Sequence, residues 1–364
     1  MPVRIVRIVV MLLIHVLIAS LPFFEAQALQ FGKQQAMTVS VFVSASSTYA
    51  TSKTFDISPE LIRHWKQARF AAATVDPSWI RAMVSVMGKT YAYDHDRRLF
   101  TTDGQQLLLP KQARSHLESC VQTVEQLHYG SLTPWSEVKH SFRRMDYATV
   151  VDLETGQRFR VQRRAGSRHA DVQPLTKQDT NIMKEIYQGK WSWRRRAIRV
   201  ELDGYSFAAS MHGMPHGAGA IKGNAFPGHF CIHFFGSSTH RRLDPDPSHS
   251  MMIQKAAGLL PQALTAAAPK EIVEYFLTSL NEHDTHTLEM LTSGEALSET
   301  IRSIETVRRP LQVRLLEPSG ELLVEADVQF EYFTRHGKNK ADTWTFVLQR
   351  FSPWERWRIV RIDT

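Results

Sequence analysis

Cys231 stands in a stretch that also carries His212, His216, His229, His233 and His240, with Gly213, Gly217, Gly219, Gly223 and Gly228 permitting tight turns between them. A thiol with several imidazoles in reach points to reactive or metal chemistry. In one reading a histidine takes the thiol proton and the thiolate becomes a nucleophile. Turn glycines then expose backbone N–H groups to an oxyanion. In a second, His229, Cys231 and His233 bind zinc together with His212 or His216. On a strand, however, those three positions share one face at intervals of about 6 to 7 Å, too wide to converge on one ion without a bulge. In a third, Cys231 pairs with Cys120, the only other cysteine, as a disulfide of an exported protein.

The elements that must hold this cluster follow from periodicity, and they predict an α+β, multi-domain chain. At 364 residues the chain exceeds the usual size of one hydrophobic core. Residues 1–28 read as a signal peptide or N-terminal membrane anchor. Arg4 and Arg7 precede an apolar run from Ile8 to Phe24, and Ala26-Gln27-Ala28 offers a cleavage site. Residues 29–55 read as a linker with one short strand around Val39 to Val43. Residues 56–134 form an α+β region: a helix opened by Ser58 and Pro59, a second at Pro77 to Met87, a hairpin-like layout from Tyr91 to Leu109, and a helix over Ala113 to Gln126. Residues 135–260 form a β-rich domain. It has a hairpin at Tyr147 to Val161, a short helix near Asp179 to Ile186, and a strand at Ala197 to Leu202 that leads towards His212. Residues 261–269 read as a second linker. Residues 270–364 place an amphipathic helix, Lys270 to Asn281, and two short helices before long alternating strands.

Other candidates flank the cluster. His169 and Asp171 form a pair able to orient a catalytic group, or sit in a turn. His240, Asp244, Asp246 and His249 orient the site or bind a cation, with a solvated Pro-rich loop as the simpler reading. Trp191 and Trp193 beside Arg194, Arg195 and Arg196 suit sugar stacking and anionic contacts, or are core tryptophans beside a solvated basic strand. Asp94, His95 and Asp96 read as solvated turn residues. The net charge of +8 favours a polyanionic neighbour, and no nucleic-acid-binding motif is present.

The segment from Ala209 to Phe234 resembles the signature of the L,D-transpeptidases, exported cysteine enzymes that cross-link or modify peptidoglycan on a β-rich domain. His212-Gly213 matches the first part of that signature and Gly228-His229-Phe230-Cys231-Ile232-His233 the second; His212 precedes Cys231 by 19 positions (231 − 212). The resemblance makes Cys231 the nucleophile, His212 the general base and His229 a substrate-side or ion-pair histidine. Gly213, His216, Phe230, His233, Trp191 and Trp193 become substrate-binding candidates, and no metal or other cofactor is called for. The chain departs from the pattern at Gly228, Phe230 and His233, where the family has Ser, Gly and usually Arg or Asn. The C-terminal region resembles the cone-shaped nuclear transport factor 2-like fold, which implies an accessory or dimerising role and no chemistry. Together these imply an extracytoplasmic enzyme whose partner is peptidoglycan or an anionic wall polymer. A non-catalytic wall-binding protein and a zinc hydrolase are the alternatives.

Overall fold

The computed structural model describes residues 36–239, 244–293, 296–308, 312–316, 320–335, 337 and 339–364. The fold is α+β, and it divides into two compact units: the described residues up to Tyr129 with Leu153–Gly156, and Gly130–Asp152 with Gln157–Thr364. The expected signal or anchor at 1–28, and His240, lie outside the described residues. No helix among those described is long and apolar enough to cross a membrane.

The first unit is a seven-stranded sheet carrying two helices. Its strands are β1 (Ala36–Phe42), β2 (Ala50–Asp56), β3 (Arg69–Ala71), β4 (Ile80–Val86), β5 (Lys89–Asp94), β6 (Leu99–Thr101) and β7 (Gln106–Leu108), in the order β2-β1-β4-β5-β6-β7-β3. Helix α1 (Pro59–Lys66) starts where Ser58 accepts a hydrogen bond from the Leu61 amide at 3.2 Å. Helix α2 (Lys111–His128) sets Leu117, Val121 and Val124 into one core with Met37, Val39 and Val41 of β1. Two expectations are corrected here. Most of the supposed linker 29–55 that is described forms the β1–β2 hairpin, whose Ser40–Ser52 and Thr38–Thr54 hydroxyl pairs replace an apolar pattern. The supposed helix at Pro77 to Met87 is one 3₁₀ turn followed by β4, a central strand in which Ala82, Val84 and Val86 face one core and Ile80 and Met83 another.

The second unit opens with α3 (Trp135–Ser141) and then closes a six-stranded antiparallel barrel. Its strands β8 (Tyr147–Asp152), β9 (Arg158–Ala165), β10 (Ala170–Pro174), β11 (Arg195–Leu202), β12 (Tyr205–His212) and β13 (Phe230–His233) run in the order β10-β13-β12-β11-β8-β9. Between β10 and β11, α4 (Lys177–Ile186) begins with a capping box of Thr176 and Asp179. Val150, Phe159, Val172, Ile198, Met211, Phe230 and Ile232 fill the barrel. Because side chains alternate along a strand, Asp171, Ser210, His212, Cys231 and His233 therefore face away from that core.

That polar wall is covered by α5 (Pro247–Ala256), which packs on β11 and β12 and is capped by Asp246 on the His249 amide. Helix α6 (Leu260–Ala266) occupies the segment expected as a second linker. Then come α7 (Pro269–Glu282), α8 (Thr285–Leu291) and α9 (Glu299–Arg302). Lys255 of α5 forms a buried ion pair with Asp284, the cap of α8, at 2.9 and 3.0 Å. Strands β14 (Ile304–Val307), β15 (Gln312–Leu315), β16 (Leu323–Thr334), β17 (Asn339–Gln349) and β18 (Arg358–Asp363) form a sheet onto which α7 packs through Phe276 and Phe346.

Candidate functional site

Strand pairing puts Asp171 directly opposite Cys231. On the other side β12 pairs Ser210 with His233 and Met211 with Ile232, and continuing that register brings His212 abreast of Cys231. Ladder neighbours lie about 5 Å apart, so the closed barrel alone assembles thiol, carboxylate and imidazole. Cys231 is 4% exposed. Both cysteines are free thiols, which removes the disulfide reading.

The loop between β12 and β13 adds two more imidazoles. His216 and His229 exchange backbone hydrogen bonds at 2.9 and 2.8 Å, closing the loop over the sulfur. Glycines permit this approach. A Cβ at Gly228, where φ is +114°, would come 2.4 Å from the His216 carbonyl oxygen, and one at Gly217 would meet the His229 ring at 2.4 Å. Buried Gln173 fastens the loop from below, donating to the Gly228 carbonyl at 2.6 Å and accepting from the amides of Ala220 and Ile221.

Hydrogen bonding sets the tautomers. His216 Nδ1 lies 3.1 Å from the Met214 carbonyl, which can only accept, so Nδ1 carries the proton. Its Nε2 is then the acceptor that faces Cys231 Sγ at 3.4 Å. His212 is set the other way: its Nδ1 accepts from the Met214 amide at 3.3 Å, which places the proton of the neutral ring on Nε2. Burial holds His212 well below the usual histidine range, reinforced by His216 and Arg195, so it is neutral. The backbone of one residue, Met214, thus makes one imidazole a base and its neighbour a donor.

On the β10 side, His169 Nδ1 meets the Ser238 carbonyl at 2.8 Å and its Nε2 meets Asp171 Oδ1 at 3.0 Å. The same carboxylate oxygen lies 3.6 Å from the sulfur. Burial first, then the facing Asp171, push the Cys231 thiol far above its ordinary range. Behind it the His169, His233 and His249 rings stack, with centroids 4.5 and 3.8 Å apart, and His249 Nδ1 meets Ser210 Oγ at 2.9 Å. Among the described residues three sets offer metal-ligand atoms within 4.8 Å of one another, and Cys231 belongs to all of them: with His169 and His233, with His212 and His216, and with Asp171 and His229.

The expected residues separate into groups. Cys231, His212, His216, His229 and His233 converge, and His216 rather than His212 makes the contact with sulfur. Trp193, 51% exposed, borders the site with its ring 4.7 Å from His212 and 5.4 Å from His216. Trp191 instead packs on Phe226 and the barrel core. Phe230 is wholly buried inside the barrel, so it reaches no substrate; a strand residue beside an outward-facing cysteine must point inward. Gly213 is small because the Tyr187 ring would lie 2.4 Å from a Cβ there. His169 sits in the bend that leads into β10 and Asp171 on β10 itself, both buried at the site, and His249 is buried against the barrel, not solvated. Asp94 too is buried, paired with Arg98 at 2.8 Å. No protein-family model matches the sequence, and no curated protein and no solved structure matches it.

Proposed function

We propose that the protein is a cysteine-dependent acyl transferase or amidase-type enzyme of the L,D-transpeptidase kind, exported and acting on the stem peptides of peptidoglycan. The observation that carries this reading is the line Cys231 Sγ, His216 Nε2, His216 Nδ1, Met214 O, with successive contacts of 3.4 and 3.1 Å. It has the form of a nucleophile, a base and an orienting acceptor.

In the proposed reaction His216 Nε2 takes the thiol proton as Sγ attacks a peptide carbonyl carbon. The carbonyl π electrons move onto oxygen, where the His212 Nε2–H donates to the developing oxyanion. Collapse expels the amine, which receives the proton from His216 and leaves a thioester on Cys231. An acceptor amine, or water, then gives its proton to His216 and attacks the thioester, restoring the thiol. Trp193 supplies an exposed aromatic face for the substrate. The substrate class rests on the motif resemblance, and the export step on the N-terminal sequence pattern.

The test is incubation of the full chain with tetrapeptide-stem muropeptides in the presence of a chelator, followed by mass spectrometry of protein and products. An acyl adduct mapping to Cys231 and a new amide or hydrolysed stem are expected, both absent from Cys231→Ala. Undiminished turnover by Cys231→Ala would refute the assignment.

A further inference from the structure

We propose that Zn²⁺ binds at Cys231 through the thiolate, the Asp171 carboxylate and His229 Nε2, with His216 Nε2 as fourth ligand, and that its binding switches the thiol off. The regulatory half rests on the cysteine chemistry proposed above; the binding half stands independently.

Geometry carries the binding. With Zn–S near 2.3 Å and Zn–N or Zn–O near 2.0 to 2.2 Å, a tetrahedral site separates its ligand atoms by roughly 3.3 to 3.6 Å. Cys231 Sγ is 3.6 Å from Asp171 Oδ1 and 3.4 Å from His216 Nε2, and His229 Nε2 is 4.0 Å from Asp171 Oδ1. The His216 and His229 rings lie 4.4 Å apart. The strand spacing that argued against zinc at 229, 231 and 233 does not apply, because the loop and β10, not β13 alone, supply the ligands.

The orientation of the imidazoles is the second argument. Metal-bound histidines characteristically hand their other N–H to a backbone carbonyl or carboxylate, which fixes the ring and leaves the inner nitrogen's lone pair for the metal. His216 Nδ1 faces Met214 O at 3.1 Å, and His229 Nδ1 faces Ala218 O at 3.2 Å. Of the other histidines grouped with Cys231, His212 and His169 meet this condition less well. His212 carries its proton on Nε2 because the Met214 amide occupies Nδ1, and His169 Nε2 is engaged by Asp171 at 3.0 Å. Charge agrees as well: a thiolate and a carboxylate neutralise one divalent cation, whereas the two anions alone repel across 3.6 Å. Binding releases the thiol proton to solvent and occupies both the attacking sulfur and the nitrogen that would deprotonate it.

The test uses the full chain, stripped with a chelator and dialysed. Titration with Zn²⁺ against a chromophoric chelator should give one ion per chain, with one proton released. Cys231→Ala should abolish it, and Asp171→Asn and His229→Gln, with unchanged circular dichroism, should each weaken it at least about tenfold. Co²⁺ in the same site should show a thiolate-to-metal charge-transfer band, a readout that needs neither activity nor a variant. Absence of stoichiometric zinc, a cobalt complex lacking that band, or affinity untouched by both Asp171→Asn and His229→Gln would overturn the site. Muropeptide turnover unchanged by saturating zinc would overturn the switch. Zinc binding in a protein that turns over nothing with or without chelator would instead refute the enzyme and leave the site standing.

Discussion

A thiol set in a barrel wall opposite a carboxylate does not ionise by itself. Cys231 is held in its neutral form first by burial and then by Asp171, so in the proposed reaction deprotonation accompanies attack, with His216 as the receiving base. The division of labour proposed for His216 and His212 follows from the Met214 backbone, whose N–H donates to one ring and whose carbonyl accepts from the other. It predicts different responses to substitution. His216→Ala should lower kcat by about 10² to 10⁴, the usual worth of a general base, and His216→Asn should not recover it, since an amide does not accept the thiol proton. His212→Ala should cost about 10² to 10³, as for removal of one oxyanion donor. His212→Asn, which keeps an N–H, should regain part of that loss. Turnover by the four variants measures this; equal losses in His212→Ala and His212→Asn would remove the donor role.

At the level of elements, what was legible in the sequence is local and what was missed is long-range. The apolar stripe of Ile272, Val273, Phe276 and Leu280 gave α7. Gln173 carries no such signal, and Asp171 was marked only through its pairing with His169: both enter the site because β10 pairs with a strand about sixty positions later, a closure that no local pattern encodes. Strand β2 was hidden because its Ser and Thr residues pair across strands instead of filling a core. The segment that delivers α5 looked polar because Asp246 and Pro247 are capping residues. Docking α5 buries His249 against Ser210 and His233, with the positive Arg195 and the His212 and His169 rings in its surroundings. Burial, then these neighbours, hold it well below the ordinary histidine range. In the unfolded chain it titrates near pH 6.5. Below that pH the unfolded state therefore takes up a proton that the folded state refuses, and stability falls as pH falls; above it the contribution is flat. The slope from this group is about 1.4 kcal/mol per pH unit. Urea unfolding of the full chain and of His249→Gln, with chelator, at pH 7 and pH 5 isolates it. The wild type should lose at most about 2 kcal/mol relative to the variant over that interval. A difference independent of pH would show that His249 is not buried neutral.

At the scale of the whole molecule, the surplus of positive charge is not where the sequence concentrates it. The run Arg194, Arg195, Arg196 is neutralised within its own unit: Arg194 pairs with Glu305, Arg195 with Asp246 and Glu282, and Arg196 with Asp152. The backbone amide of Arg195 also donates to Glu282 at 2.5 Å, so this run serves to join β11 to α7. With that run internally paired, we expect the +8 net charge to act through the rest of the chain as a general field. Such a field is screened over about 10 Å at 0.1 M salt and about 3 Å at 1 M. Attraction to an anionic wall polymer by this route should therefore be strong in dilute buffer, weak in concentrated salt, and indifferent to any one arginine of the run. Cosedimentation with purified cell walls from 0.05 to 1 M NaCl tests this. The bound fraction should fall steadily for the wild type and identically for Arg194→Gln. If retention persisted in 1 M salt, local contacts such as stacking on Trp193 would outweigh the field. If Arg194→Gln alone released the protein, the basic run would be an anion site despite its internal carboxylates.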